Sequence, residues 1–339
     1  MNPQMQSTVE ALIASGKGIL AADESLPTIE KRFKALDILS TEEARRAYRE
    51  MLFTTRGLNE YISGTILFDE TMHQRSTDGM TMAEVLAKQG IISGIKVDKG
   101  TVALAAFAGE KITEGLDTLR DRLIQYRQLG ARFTKWRAVI TIGEHIPTRA
   151  CIDVNARALA QFAALSQEAE LVPIVEPEVL MNGSHTMERC EEVASTTLRS
   201  VFVALFEHRV VLEHTLLKTG MILPGEEHPA QAEVELVAES TLRCLRRAVP
   251  AAVPGIVFLS GGQRDELATQ RLNAICRAGA IPWKLSFSFG RALQAPALTI
   301  WKGFSNNVTA AQDALRHRAQ CNSFALQGKY SAEIERRHT

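Results

Sequence analysis

Apolar and polar positions along the chain fall into one repeating unit: a short β-rich run, a polar or glycine break, then apolar residues at helical spacing. Eight runs read as strands. They are "GKGILAAD" (16–23), "SGTILF" (63–68), "SGIKVD" (93–98), "RFTKWRAVI" (132–140), "LVPIVEPE" (171–178), "VVLEHTLLK" (210–218), "GIVFLSGG" (255–262) and "WKLSFSFG" (283–290). Between the third and fourth, "TEGLDTLRDRLIQYRQLG" puts Leu116, Leu119, Leu123 and Tyr126 on one helical face, with Thr113 as N-cap and Gly130 as stop. Ser7 with Glu10 and Ser40 with Glu43 have capping-box spacing and mark helices on either side of the first strand. Strands alternating with helices predict parallel pairing, and eight of them close into a single-domain α/β fold, the (β/α)8 TIM barrel, over residues 1–339. From about residue 331 the pattern ends in a short tail, expected to be mobile. An open doubly wound sheet is the rival arrangement.

Composition narrows the function. The 339 residues are 45% hydrophobic and 23% charged, and 39 Lys+Arg balance 39 Asp+Glu, so no net field draws nucleic acid or an anionic membrane. The first residues lack a basic stretch followed by an apolar one, and no apolar run approaches membrane-spanning length. Five cysteines without a C-x-x-C pair suit reduced thiols, so a cytoplasmic protein is expected. Eight scattered histidines form no H-E-x-x-H and no Cys/His pair at ligand spacing; His145 and His214 read as polar contacts. Without a G-x-G-x-x-G or P-loop either, side chains alone are expected to do the chemistry, with no metal and no cofactor.

A barrel predicts catalytic groups at the C-terminal ends of its strands. Asp23, Lys96 with Asp98, Lys135 with Arg137, Glu176 with Glu178, and Lys218 all fall there. Members of each pair are two residues apart and so face the same side. One such pair reads equally well as a structural salt bridge; several converging on one mouth read as a cup for acid–base and amine chemistry. After the last two strands come "LSGGQ" and "FSFGRAL", where barrels bind phosphate. Ser260, Gly261 and Gly290 offer N–H donors and Arg291 a bidentate fork, so a phosphorylated small molecule is the expected ligand.

Lys218 ends an otherwise apolar run, either snorkelling to solvent or held for its amine. An amine that is neutral near pH 7 must fall from about 10.4 to roughly 7–8, which desolvation beside a second cation supplies. Lys135 is the candidate cation, which favours an imine on Lys218.

These residues resemble the class I fructose-bisphosphate aldolases through "GKGILAADES", "GIKVDKG", "KWRAVITIGEH", "PIVEPE", "TLLK", "FLSGGQ", "FSFGRALQ" and "NSFALQGKY", from about residue 10 to 330. The resemblance implies a metal-independent (β/α)8 lyase that cleaves fructose 1,6-bisphosphate reversibly to dihydroxyacetone phosphate and glyceraldehyde 3-phosphate. It also implies a homo-oligomer, commonly a tetramer. Alternatives are the same chemistry on sedoheptulose 1,7-bisphosphate or fructose 1-phosphate, or a non-catalytic scaffold. By resemblance, Lys218 matches the Schiff-base lysine, Glu176 the carboxyl that passes protons, and Asp23 the base for the C4 hydroxyl. Lys135 and Glu178 match groups that set the charge around the imine, with Arg137 in the same cluster. Ser260, Gly261, Ser288, Gly290 and Arg291 match the C1-phosphate site, and Lys96, Ser25, Thr28, Lys31 and Arg32 lie where the family handles the other end of the sugar. Two departures stand out. His214 and Thr219-Gly220 replace residues common in the family, and the chain ends "EIERRHT" without the terminal tyrosine that many members use to exchange the C3 proton. That proton is expected to come from a site carboxyl or the bound phosphate rather than from Glu333, Glu335 or His338.

Overall fold

In the computed structural model, which describes residues 2–279 and 281–336, eight parallel strands close into a barrel. β1 spans Gly18–Ala22, β2 Ile62–Leu67, β3 Ile92–Lys96 and β4 Phe133–Ile140. β5 spans Val172–Val179, β6 Leu216–Thr219, β7 Gly255–Phe258 and β8 Lys284–Phe289. Each pairs with its chain neighbours, and β1 meets β8 through Ile19↔Ser288 and Leu20↔Phe289. That closing pair excludes the open sheet.

Alternation along the strands divides the core in two. Leu20, Trp136, Val175, Leu217, Ile256 and Phe289 point outward into a large cluster shared with the helices. Ile19, Ile66, Phe133, Ile174, Leu216 and Val257 point inward and fill the lower barrel. Gly94 is required there, because a Cβ at that position would stand 2.3 Å from the Phe133 ring. Below them the helix Pro3–Leu12 lies across the N-terminal strand ends, contributing Met5, Val9 and Leu12 to the inner cluster. Ile13, just past it, packs where a Cβ on Gly255 would come within 2.7 Å, and Ser63 Oγ donates to Leu12 O at 2.7 Å. The floor is sealed by apolar side chains.

Several boundaries differ from the sequence reading. The run 210–218 is two elements: a 3-10 turn over Leu212–His214, then β6. Thr215 N donates to Leu212 O at 3.0 Å, so the first half turns beneath the barrel and only Leu216–Thr219 reaches β5 and β7. Buried His214 sits in that turn, with Nε2 unpartnered. Thr113 caps no helix. It ends the second strand of a small hairpin, Thr101–Ala103 with Lys111–Thr113, which its exposed residues concealed from periodicity, and its hydroxyl donates to Arg137 O at 2.7 Å. The helix that follows runs Leu119–Gln128 and does stop before Gly130, at φ 102°. Ser7 lies inside Pro3–Leu12, which Asn2 caps, and Thr41 rather than Ser40 caps Glu42–Phe53. A complete capping box instead joins Thr81 and Glu84. Residues Ala332–Arg336 form a helix whose Glu335 carboxylate pairs with Arg318 and accepts the Tyr330 hydroxyl at 2.5 Å; His338 lies outside the described residues. The cysteines are free, as expected, and all but Cys276 are buried.

Candidate active site

At the C-terminal end of the barrel opens a cavity of ≈ 1240 Å³, and every residue singled out above for the site lines it. The register explains the convergence. Lys96 stands beside Lys135 on adjacent strands, and Arg137 beside Glu176, so the inward positions of β3, β4 and β5 carry charge at matching heights.

The deepest charges form a chain. Lys218, Lys135 and Glu176 are 4%, 3% and 3% exposed. Lys218 Nζ lies 2.9 Å from Glu176 Oε1, Lys135 Nζ 3.3 Å from Glu176 Oε2, and Lys135 Nζ 2.6 Å from Asp23 Oδ2. Glu176 Oε2 feels the Lys135 charge but has no aligned hydrogen bond, which leaves an acceptor aimed into the cup. Burial pushes the Asp23 carboxyl up, yet the ammonium groups of Lys135, Lys218 and Lys96 outweigh it and hold Asp23 well below the usual carboxylate range. Burial likewise opposes ionisation of Glu176, and Lys218, Lys135 and Arg137 overcome it. Burial disfavours the Lys135 ammonium, but Asp23, Glu176 and Asp98 raise it well above an ordinary lysine. One expectation changes here. Lys135 is no bare cation beside Lys218; it is matched by Asp23 and Glu176, and the immediate neighbour of Lys218 is a carboxylate. The cup therefore holds two lysines and two carboxylates linked through Glu176, a proton-passing arrangement rather than a cation pair.

Around this chain, Arg137 pairs with Glu178, and Lys96 Nζ with Asp98 Oδ1 at 2.6 Å. In the loop after β7, Gly261 and Gly262 take φ of 52° and 84°, a turn that side chains resist. Gly290 caps the helix Arg291–Trp301, and no side chain caps its first turn. Ser288 Oγ is buried without a partner, and Arg291 turns its fork onto Gly262 O and, at 3.3 Å, Gln263 O. Across the mouth, Ser25 and Thr28 share a 3.1 Å hydrogen bond, and Lys31 and Arg32 follow on the same helix.

Sequence reasoning missed a second layer. Glu24, next to Asp23 in the cavity wall, is buried and receives Arg49 at 2.6 Å, Gln294 Nε2 at 2.9 Å and Arg32. Gln294 also donates to Ala21 O at 2.7 Å and accepts from Tyr48 at 3.0 Å. Glu24 thus ties β1 to the helix that begins at Arg291 and to a cation of the opposite rim. The "ADES" stretch displays the residue, but its partners lie far away in sequence.

Among the described residues, His317, Cys321 and Glu335 bring metal-ligand atoms within 4.8 Å of one another. The sequence reading overlooked the i,i+4 spacing of the first two. None of the three lines the cup, and the Glu335 carboxylate already holds Arg318 and Tyr330.

The family model described as "Fructose-bisphosphate aldolase class-I" matches residues 4–339. A "Probable fructose-bisphosphate aldolase class 1" of Xanthomonas campestris pv. campestris is 56% identical over 96% of this chain and 98% of that protein. The "Fructose-bisphosphate aldolase 4, cytosolic" of Arabidopsis thaliana is 50% identical over 94% and 82%. The Plasmodium falciparum fructose-bisphosphate aldolase, solved in complex with TRAP and a small-molecule inhibitor, superimposes with a TM-score of 0.96 and 47% identity, over 97% of this chain and 95% of that one. By sequence and by fold, the chain belongs to the class I fructose-bisphosphate aldolases.

Proposed function

We propose that Lys218 carries fructose 1,6-bisphosphate as an imine and that the chain of Glu176, Lys135 and Asp23 moves the protons of its cleavage. The observation behind this reading is Glu176 Oε1 at 2.9 Å from the Lys218 amine. Glu176 takes a proton from Lys218, the freed amine attacks the C2 ketone, and the same carboxyl protonates the departing hydroxyl, which leaves as water. Asp23, kept ionised by Lys135, takes the C4 hydroxyl proton. The O–H electrons form the aldehyde C=O, the C3–C4 pair moves to C3=C2, and the iminium nitrogen gains the remaining pair. A carboxylate held this low is a weak base by itself, so electron withdrawal by the iminium drives the transfer. Arg137, Glu178 and Lys96 with Asp98 orient the sugar hydroxyls. After aldehyde release C3 is reprotonated by a carboxyl within the cup, and water frees dihydroxyacetone phosphate.

The phosphate at C1 docks on the N–H groups of Ser260, Gly261 and Gly290, the Ser288 hydroxyl and the Arg291 fork; Ser25, Thr28, Lys31 and Arg32 hold the opposite end. We further assign a cytoplasmic location, in keeping with the cytosolic Arabidopsis relative; no helix among the described residues is long and apolar enough to cross a membrane. A homo-tetramer fits the exposed Val203 and Phe206 on the helix Met187–Glu207, which a subunit contact would cover.

Borohydride added with dihydroxyacetone phosphate should inactivate the enzyme and leave the reduced triose on Lys218 in a peptide map. Triose on Lys96 or Lys135 instead would overturn the assignment. Arg291→Ala should weaken phosphate-bearing substrates by on the order of 1.5–3 kcal/mol while sparing unphosphorylated fructose. Equal loss on both, read from kcat/KM, would make Arg291 structural.

A further inference from the structure

Behind the loop after β7 sits a cation without an anion. Arg271, on the helix Asp265–Arg277, is 2% exposed, and among the described residues no carboxylate pairs with it. Other deeply buried arginines are matched: Arg49 by Glu24 at 2.6 Å, Arg318 by Glu335. Arg271 has only neutral partners. Its Nη1 donates to Gln263 Oε1 at 2.8 Å and its Nη2 to Ala232 O at 3.4 Å, and Nε has none. Burial pulls its pKa down with nothing to offset it, yet a guanidinium stays protonated. An unmatched buried charge is expensive, so its surroundings matter.

Those surroundings are the phosphate loop. Gln263 N donates to Ser260 O at 3.0 Å, closing the Ser-Gly-Gly-Gln turn, and Gln263 O accepts from Arg291 at 3.3 Å. Arg271 therefore grips the side chain of the residue whose main chain joins the loops after β7 and β8.

We propose that Arg271 is a positioning residue for the substrate's phosphate: held by Gln263 behind the Ser260–Gln263 turn, its unmatched charge gives that turn a standing positive potential which a bound phosphate dianion satisfies. The proposal rests on the reading that these loops receive phosphate. It separates two roles that one arginine can have, a strut holding Gln263 to Ala232 or an electrostatic support for the ligand.

Arg271→Met removes the charge at similar length, Arg271→Lys keeps the charge and loses the fork, and Arg291→Ala checks the loops themselves. In the full-length protein, calorimetry with inorganic phosphate at low and high salt gives binding, and steady-state assays with fructose 1,6-bisphosphate give KM and kcat. Arg271→Met should weaken phosphate about tenfold and raise KM by a similar factor, with kcat within about threefold and a flatter salt dependence. Arg271→Lys should recover much of that loss. If the methionine variant does not fold, Arg271→Gln, which can still bond Gln263, makes the same comparison. Phosphate binding within about twofold of wild type, or a fall in kcat and unfolding midpoint at unchanged KM, would leave Arg271 a strut and end the proposal. If Arg291→Ala weakens phosphate and Arg271→Met does not, the loop reading stands and only the role of Arg271 falls. If neither does, the loops are not the phosphate site.

Discussion

Lys218→Met should lower kcat/KM by on the order of 10⁴–10⁶, or about 5–8 kcal/mol of transition-state stabilisation, because the variant has no amine to form the electron sink. The ketone alone would have to absorb the C3–C4 electron pair. A second loss accompanies the first: Glu176 keeps only Lys135, and a buried neutral set of two cations and two anions becomes a net anion. Lys218→Arg separates these effects, since a guanidinium still answers Glu176 but is no nucleophile. We expect the arginine variant to unfold near the wild-type temperature and to be as inactive as the methionine variant. Residual activity within a hundredfold of wild type in either would sink the imine on Lys218.

Asp23→Asn is the next largest change. Removing the proposed base for the C4 hydroxyl proton should cost about 10²–10⁴ in kcat while substrate capture on Lys218 continues. Borohydride with dihydroxyacetone phosphate should still label Lys218 in this variant; loss of labelling would place Asp23 in imine formation. The pH dependence of stability carries a sign. The folded pKa of Asp23 is depressed, so its contribution is present above the unfolded value of about 3.9 and is lost as pH falls through the lower folded value. The gap in unfolding free energy between wild type and Asp23→Asn should therefore be steady near neutrality and narrow below about pH 4. A gap that widened in acid would contradict the Lys135–Asp23 pairing.

How much of this was legible in the sequence follows from where the information lies. Alternation within one strand is local, so Lys135 with Arg137 and Glu176 with Glu178 announced an inward charged face, and the glycine loops announced backbone N–H groups at the same mouth. Register between strands is not local. Nothing in the sequence said that Glu176 would stand between two lysines, so Lys135 read as a lone cation. The Glu24–Gln294 bond spans 270 positions, and Arg271 reads as one more polar residue on an amphipathic helix. The hairpin of Thr101–Ala103 with Lys111–Thr113 was invisible because its strands are short and largely exposed. A helix before β1 was expected from Ser7 and Glu10, whereas its start at Pro3 and its place under the barrel were not.

That placement governs traffic. With apolar side chains sealing the floor, the barrel is a vessel with one door, and both halves of a cleaved sugar must leave by the way the whole sugar entered. In the proposed mechanism the half bonded to Lys218 is tethered where the lysine is 4% exposed, while the aldehyde half is freed by the cleavage itself. Departure is a queue: aldehyde first, ketone after hydrolysis releases it. Run backwards, the queue reverses, and an aldehyde that arrives before the ketone stands in the doorway of the site it is meant to share.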